Sequence, residues 1–310
     1  MKREAVSYQS NAKLRVFGKS PPEQRAGIYP FYVSVLLFSL AVFGTSILAG
    51  FLGAMTGLGG GVVIIPVLCL LFKVDIHYAL GASLVSVIAT SSGAAAAYVR
   101  EGFSNIRIGM FLEVATTLGA LLGAYLTAKV TGNWIGVIFG VVLLYSAWAS
   151  LQKLHDVAQT TKPDALALRL NLKGSYPENG TEHEYVATHV PAAFGIMFGA
   201  GTLSGLLGIG SGAVKVLAMD YAMKLPFKVS TTTSNFMIGV TAAASAGIYL
   251  SRGYVLPSLA MPVMLGVLVG SLIGARVLAR TEVKTIRLGF AVVIVALGAE
   301  MIFNGLTGRL

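Results

Sequence analysis

The chain has 310 residues, of which 55% are hydrophobic and only 12% are charged, and its formal net charge is +10. Its mean hydropathy is +0.76. An ordinary soluble domain has about 25% charged residues, so this composition argues against a soluble protein. It also argues against a basic nucleic-acid-binding domain, since no zinc-finger spacing or RNA-binding signature is present. No nucleic-acid partner is therefore expected.

Residues 1–30 are predicted to form a basic segment that precedes the first membrane span. The segment contains six basic residues: Lys2, Arg3, Lys13, Arg15, Lys19 and Arg25. Basic residues beside a span favour the cytoplasmic side of the membrane, so we expect a cytoplasmic N-terminus in the inner (cytoplasmic) membrane. The segment is too long and polar for the n-region of a cleaved signal, so the span after it is expected to be retained.

Eight apolar runs follow along the chain, each of about 17 residues or more, which is the length that spans a bilayer. They are residues 31–51, 78–99, 106–130, 134–151, 191–207, 229–250, 257–278 and 286–303. The runs lack the alternation of membrane strands, and lipid offers no partner to free backbone groups, so they predict helices. The predicted fold class is an all-α polytopic membrane protein.

Two halves of the chain match each other without a gap when the sequence is shifted by 151 positions. Pairs related by this shift include Gly57 and Gly208, Gly59 and Gly210, Gly61 and Gly212, Ser83 and Ser234, and Thr90 and Thr241. We therefore predict two homologous repeats, residues 31–151 and 189–310, each with about four full spans and a short glycine-broken segment. Duplicated halves are typical of secondary transporters, although channels and some enzymes also contain repeats.

A polar linker is predicted over residues 152–188, between the two repeats. It contains nine acidic or basic residues together with Pro163 and Pro177. A short surface helix is expected near Asp164–Leu172. The two repeats, each with four spans and one short segment, predict 8–10 membrane segments in total.

The short segment of the first repeat begins in the sequence TGLGGGVVIIP, Thr56–Pro66. Its glycines let the chain leave helical geometry, and the apolar run that follows is too short to cross a bilayer as a helix. Ser204–Met223 repeats this pattern in the second half. Paired interrupted segments indicate a transporter binding site, because a helix that starts inside the membrane presents unpaired N–H groups to an anion.

Other interpretations of the glycines are weaker here. Close helix packing explains Gly119-x-x-x-Gly123 and Gly266-x-x-x-Gly270 better than it explains the dense Gly57–Gly61 cluster. The cluster lacks the third glycine of a dinucleotide-binding fingerprint, and no Lys-Ser/Thr follows it as in a phosphate-binding loop.

The span after each break carries a stripe of hydroxyl groups at helical spacing. Ser83, Ser86 and Thr90 share one face, and Ser234, Thr241 and Ser245 repeat it. Such hydroxyls can donate to an anion, or they can form interhelical hydrogen bonds.

Three ionisable residues within apolar segments are functional candidates because burial in lipid is costly for them. Lys215 is expected to balance the charge of an anionic substrate, and its repeat counterpart is Ile64. Glu113 and Asp220 are candidate coupling residues for a proton or sodium ion. Asp220 could instead pair with Lys215 or mark a helix end.

No catalytic or metal-binding constellation is evident. The four histidines lie at loop edges or in the linker, and Cys69 is the only cysteine. We expect no cofactor, no metal site and no enzyme activity.

The motif GxxxGxGGGxxxxP at Gly53–Pro66, the Ala-x-Gly-x-Ser-Leu run at Ala79–Leu84 and the GxGSG of the second half resemble the TauE/SafE sulfite-exporter family. The resemblance covers both halves of the chain. It implies an integral membrane transporter of sulfite, organosulfonates or related small anions. The second copy departs from the motif at Ser211, at Leu217 in place of the proline, and at Lys215.

The predicted function is secondary active transport of such an anion, held between the two repeats. An anion channel or a carrier of a small carboxylate or other non-sulfur anion remains an alternative, and a homodimer and parallel or inverted repeats are left open. The predicted substrate-binding residues are Gly57, Gly59, Gly60, Gly61, Ser83, Gly208, Gly210, Ser211, Gly212, Lys215, Thr233, Ser234 and Asn235.

Overall fold

A computed structural model describes residues 22–56, 60–100, 104–151, 164–178, 181–278 and 283–310. The chain divides into two units, residues 1–41 and residues 42–310. The described part of the first unit is helical. All the packing described below lies within the second unit.

Within the described residues, the fold consists of helices and one small hairpin of strands. The long helices are α1 (Pro22–Thr56), α3 (Ile76–Arg100), α4 (Ile106–Thr127), α5 (Gly132–Leu151), α7 (Val190–Leu207), α9 (Phe227–Ser251), α10 (Pro257–Leu278) and α11 (Val283–Leu306). The short helices are α2 (Gly61–Pro66), α6 (Ala165–Arg169) and α8 (Gly212–Leu217). A π-helical turn follows α2 at Val67–Leu71 and follows α8 at Ala218–Ala222.

Several of these helices have the length and composition of membrane spans. Four described stretches are long and apolar enough to cross a bilayer: Val35–Gly53, Ile106–Thr127, Val190–Leu207 and Pro257–Gly274. Large apolar side chains such as Leu118 and Leu272 are about half exposed on their outer faces, as expected for contact with lipid. The prediction of an all-α membrane protein is confirmed.

The helix boundaries recur along the chain at the same shift as the sequence match. α2 begins at Gly61 and α8 at Gly212, and each is followed directly by a π-helical turn. α3 begins at Ile76 and α9 at Phe227, again 151 positions apart. Corresponding segments of the two halves therefore have corresponding secondary structure.

The central helices α3 and α9 run in opposite directions. Gly81, near the start of α3, lies against the carbonyl group of Tyr254, which follows the end of α9. At the other end, the backbone N–H of Asn105, beyond α3, donates to Thr233 Oγ1 near the start of α9 at 3.0 Å. The start of each helix therefore lies beside the end of the other.

The short helices turn back along the long helices that precede them. A Cβ atom on Gly60, before α2, would lie 3.4 Å from the Cα of Gly50 in α1. The N–H of Thr188, before α7, donates to the carbonyl oxygen of Met223, after α8, at 3.1 Å. In the second half, the pair α7 and α8 thus starts and ends on the same side, and the corresponding helices α3 and α9 of the two halves run in opposite directions. The halves are inverted, an arrangement that the sequence left open.

Helices α4 and α7 pack with almost no space between their backbones. A Cβ atom on Gly119, Gly123, Gly201 or Gly205 would collide with a backbone carbonyl group of the facing helix. Small residues let membrane helices approach this closely, so the packing interpretation of Gly119-x-x-x-Gly123 agrees with the contacts.

The linker packs as a small polar layer at one end of the bundle. Asp164 caps α6, and its Oδ2 atom accepts a hydrogen bond from the N–H of Val190 at 3.1 Å. β1 (Lys173–Glu178) and β2 (Thr181–Val186) form an antiparallel hairpin that the sequence interpretation did not anticipate. Asn105 Nδ2 donates to the buried hydroxyl of Tyr185 at 2.9 Å. Burial raises the pKa of Tyr185, and the hydrogen bond from Asn105 partly opposes that rise.

Candidate functional site

The predicted helix break of the second half is present, and in the first half α2 begins after a non-helical turn at Gly60. α1 ends at Thr56 before α2 begins at Gly61, and α7 ends at Leu207 before α8 begins at Gly212. In the second break, Gly208 and Gly210 have φ angles of +63° and +73°, which glycine adopts without a steric penalty. Of the predicted site residues, Gly57 and Gly59 lie outside the described residues.

The start of α2 lies against the break before α8. A Cβ atom on Gly61 would lie 2.5 Å from Ser83 Oγ and 3.7 Å from the carbonyl oxygen of Gly208. Ser83 is fully buried, and its hydroxyl donates to that carbonyl oxygen at 2.9 Å. Gly61, Ser83 and Gly208, three predicted site residues from the two halves, therefore lie together. The hydroxyl proton of Ser83 is donated to the second break.

The residue directly before α8 differs from the residue directly before α2 in both side chain and backbone conformation. Ser211 caps α8 with a φ angle of +48°, whereas Gly60 caps α2 at −64°. Ser211 is buried, and its hydroxyl has no partner among the described residues. Ser234 Oγ donates to the carbonyl oxygen of Gly212 at 3.2 Å. Ser211 thus supplies a buried hydroxyl that is available to a ligand.

Lys215 lies one helical turn after this break. Its backbone N–H donates to the carbonyl oxygen of Ser211 at 3.1 Å. Its side chain is 0% exposed, and Nζ donates to Thr241 Oγ1 at 2.5 Å. An ammonium group buried at membrane depth is costly without an anionic partner, so the surrounding groups decide its role.

The anionic group nearest to this chain of contacts is Glu113 on α4. Thr241 Oγ1 and Glu113 Oε1 are 2.6 Å apart, and Thr117 Oγ1 also donates to Oε1 at 3.2 Å. Glu113 is 4% exposed, and its Oε2 has no hydrogen-bond partner in the described part of the chain. The hydroxyl of Thr241 therefore connects Lys215 of the second half with Glu113 of the first, and we call these three residues the Lys–Thr–Glu bridge.

The Lys–Thr–Glu bridge has no counterpart at the matching positions of the other half. The residues at the positions shifted by 151 from Lys215 and Glu113 are Ile64 and Met264, and only Thr241 has a hydroxyl counterpart, Thr90. Ile64 is buried in the apolar core. At the matching place in the two short helices, the second half therefore has a charged side chain, Lys215, and the first half has an apolar one, Ile64.

Three further candidates are the residues Thr233, Asn235 and Asp220. Thr233 Oγ1 accepts the N–H of Asn105, which ties it to the connection between α3 and α4. Asn235 is half-buried on the same helix as Thr233. Asp220 is buried in the π-helical turn after α8.

Most hydroxyls of the predicted stripe are used within their own helices. Ser86 donates to the carbonyl oxygen of Ser83 at 2.7 Å, and Ser245 donates to that of Thr241 at 3.1 Å. Such bonds satisfy a buried hydroxyl without a ligand. Thr241 belonged to the stripe but not to the predicted site, and only its position between two charged side chains distinguishes it.

No metal centre is formed by the residues that the structure describes. Among them, no three His, Cys, Asp or Glu side chains lie close enough to hold a metal ion. Cys69 is buried with a free thiol. The donors available at the breaks are hydroxyl, amide and ammonium groups, which suit an anion.

Comparison with known proteins places this chain in a family. The family model described as "Sulfite exporter TauE/SafE" matches residues 42–301. The chain is 27% identical over 267 residues to the probable membrane transporter protein YunE of Bacillus subtilis (strain 168), covering 84% of this chain and 96% of that protein. It is 28% identical over 232 residues to the probable membrane transporter protein YdhB of the same organism, covering 74% and 85%.

A further relative is a probable membrane transporter protein of Xylella fastidiosa (strain 9a5c). It is 26% identical over 188 residues, which cover 60% of this chain and 64% of that protein. No solved structure matches the chain significantly.

Proposed function

Because the chain belongs to the sulfite exporter TauE/SafE family, we propose that it is a secondary active transporter of a small oxyanion, such as sulfite or an organosulfonate. The chain is a membrane transporter, as its family and its relatives indicate. What we propose beyond this is the chemical class of the transported anion and the secondary active mechanism. The mechanism requires no covalent chemistry, and we propose that the chain is not an enzyme.

The observation that carries this proposal is the complete burial of Lys215 directly after a helix break. Lys215 Nζ has a neutral hydroxyl as its described hydrogen-bond partner, so its charge is only indirectly balanced by Glu113. A small anion that approached through the break would meet this ammonium group and the free hydroxyl of Ser211. Charge-assisted hydrogen bonds are roughly twice as strong as neutral ones, which favours an oxyanion at this position.

The closed packing around Lys215 supports a carrier rather than a channel. Lys215 is fully buried, and the bond from Ser83 to Gly208 holds the second break against the first half. An anion therefore reaches Lys215 only after helices move, as alternating access between inverted halves requires. A carrier shows exchange stimulated by anion on the opposite side, whereas a channel does not.

We also propose a location in the cytoplasmic membrane with a cytoplasmic N-terminus. The six basic residues before α1's apolar stretch support that orientation. The small anion and a coupling proton or sodium ion are the proposed partners.

Anion flux in proteoliposomes tests the role of Lys215. Wild type, Lys215→Ala and Lys215→Gln are compared, with Lys73→Gln as the control because Lys73 is an exposed lysine of the turn after α2. We expect flux to be lost in both Lys215 variants and kept in Lys73→Gln. Wild-type flux in both Lys215 variants would reject this site.

A further inference from the structure

The proposed function leaves one buried group unexplained, the second carboxylate oxygen of Glu113. Both hydroxyls that reach this carboxylate, those of Thr241 and Thr117, go to Oε1. Oε2 is buried without a partner in the part of the chain that the structure describes. An unfilled acceptor on a buried carboxylate costs free energy, and this cost is smaller when the group is a neutral carboxylic acid than when it is ionised.

We propose that Glu113 binds one proton for each anion that Lys215 binds, so that the transporter moves the anion and the proton together. The inference rests on the proposed function, because it needs an anion at Lys215. It adds the identity of the coupling ion, the residue that carries it and the stoichiometry.

Charge balance at the Lys–Thr–Glu bridge requires this coupling. In the empty site, the ammonium group of Lys215 and the carboxylate of Glu113 cancel. A bound anion without a proton would place two negative groups beside one positive group in a medium of low dielectric constant, where like charges repel strongly. A proton on Glu113 removes the competing negative charge and leaves Lys215 to the anion. For a monovalent anion, the empty and loaded sites then have the same net charge.

Thr241 has the hydrogen-bonding capacity to serve both states. A threonine hydroxyl has one proton and two acceptor lone pairs. With Glu113 ionised, Thr241 accepts from Lys215 and donates to Glu113 Oε1. With Glu113 protonated, Thr241 accepts from the carboxylic acid and donates instead to the carbonyl oxygen of Met237, which lies 2.9 Å away. No buried donor of the bridge loses its partner when the proton moves.

Few other charges face Glu113. α7 and residues 229–248 of α9 contain no acidic, basic or histidine residue, and on α4 itself Arg107 and Tyr125 lie near the helix ends. α8 and its π-helical turn add Asp220 and Tyr221 besides Lys215. Lys215 is thus the only basic side chain on the helices that pack around Glu113 at its level, within the described residues.

The asymmetry of the inverted halves limits the number of protons to one. The positions equivalent to Lys215 and Glu113 are Ile64 and Met264, which neither bind an anion nor take up a proton. A sodium ion is a poorer fit than a proton, because hard cations require about six oxygen ligands and both nearby hydroxyls are directed to Oε1.

The coupling is tested in proteoliposomes with wild type, Glu113→Gln and Glu300→Gln. Glu300→Gln is the matched control because Glu300 is an exposed acid on α11. The probes are labelled sulfite and labelled methanesulfonate, and the latter is included because its charge does not change over the working pH range. We measure anion exchange without a gradient and anion accumulation driven by a proton gradient.

We expect wild type and Glu300→Gln to accumulate the probe when a proton gradient is applied and to lose accumulation with a protonophore. Glu113→Gln should keep exchange at the rate of the control and lose gradient-driven accumulation. The inference would be overturned if Glu113→Gln accumulated the probe under a proton gradient, or if it lost exchange as well as accumulation. It would also be overturned if a sodium gradient drove accumulation by wild type in place of a proton gradient.

Two further comparisons separate the failure of the coupling from the failure of the proposed function. If wild type exchanges neither probe, the proposed function fails and the inference falls with it. If wild type exchanges a probe but Glu113→Gln accumulates it under a proton gradient as wild type does, only the inference falls. Should Glu113→Gln not purify as a folded protein, Thr241→Ser and Thr241→Val decide: serine should keep accumulation and valine should lose it, and equal accumulation in both contradicts the bridge.

Discussion

Ser83 of the first half donates a hydrogen bond of 2.9 Å to the carbonyl oxygen of Gly208 in the second half. The bond joins a continuous helix, α3, to the left-handed residue that ends α7. Gly61, at the start of α2, lies against both groups. The Ser83 hydroxyl group therefore lies at the contact between the two interrupted helices.

Replacing Ser83 with Ala should destabilise the protein. The carbonyl group of Gly208 would remain buried without its partner, at a cost of about 1–3 kcal/mol. Thermal unfolding in detergent measures the effect, with Ser92→Ala as the control. Ser92 is exposed on the same helix, and its hydroxyl donates to the carbonyl oxygen of Ile88 at 2.7 Å within that helix. Equal unfolding temperatures for the two variants would show that the contact between the breaks does not depend on this bond.

The variant Ser211→Gly distinguishes the effect of the Ser211 hydroxyl on anion binding from the effect of its backbone conformation on stability. Ser211 has a φ angle of +48°, a conformation that costs an L-residue roughly 1–2 kcal/mol and costs glycine little. The variant should therefore be at least as stable as wild type and yet bind the anion more weakly, because it lacks the free hydroxyl. Ser211→Ala should be weaker in both respects. Undiminished anion binding by Ser211→Gly would remove Ser211 from the site.

Gly205→Ala tests the close packing of α4 and α7. The added Cβ atom would collide with the carbonyl oxygen of Ala120, and overpacking of this kind typically costs about 1–3 kcal/mol. Gly199→Ala is the matched control on the same helix, because its Cβ atom would have nothing within 4 Å. Glycine in a helix interior is roughly 0.5–1 kcal/mol less favourable than alanine, so the control should be slightly stabilised. Similar thermal stability of the two variants would contradict the packing.

Labelling of single cysteines tests the inverted arrangement. Cys69 is the only cysteine, so Cys69→Ala provides a background for Ser175→Cys in β1 and Thr307→Cys after α11. Ser175 lies in the linker hairpin at the end of the bundle marked by Asn105, while Leu310 lies near Gly132, which contacts Ile76 at the start of α3. A membrane-impermeant maleimide should label the two cysteines from opposite sides. Labelling of both from one side would indicate parallel halves.

Much of the membrane architecture could be predicted from the sequence, because its signals are local. Apolar length predicts the spans, and the density of glycine at Gly57–Gly61 and Gly208–Gly212 predicts the interruptions. The direction of the second half could not be predicted, since basic residues occur at many connections and favour no arrangement clearly. The hairpin of the linker had a signal that was not used: Asn179-Gly180, a sequence that favours a two-residue turn between strands.

The candidate site was predictable residue by residue but not as a group. Lys215 and Glu113 each stand out because charged residues are rare in membrane helices. Their connection through Thr241 depends on how α4, α8 and α9 pack, and no spacing in the sequence expresses that packing. Thr241 resembles every other hydroxyl of its stripe until its neighbours are known.

Ligand-dependent stability of the purified protein tests the role of Lys215 most directly. A ligand that binds only the folded state raises its apparent stability by mass action. Sulfite, sulfate, thiosulfate, taurine, sulfoacetate and simple carboxylates are added in turn to wild type, Lys215→Gln and Lys73→Gln. We expect at least one oxyanion to raise the unfolding temperature of wild type and Lys73→Gln and to leave that of Lys215→Gln unchanged. The same rise in Lys215→Gln, or no rise in wild type with any of these anions, would contradict this expectation.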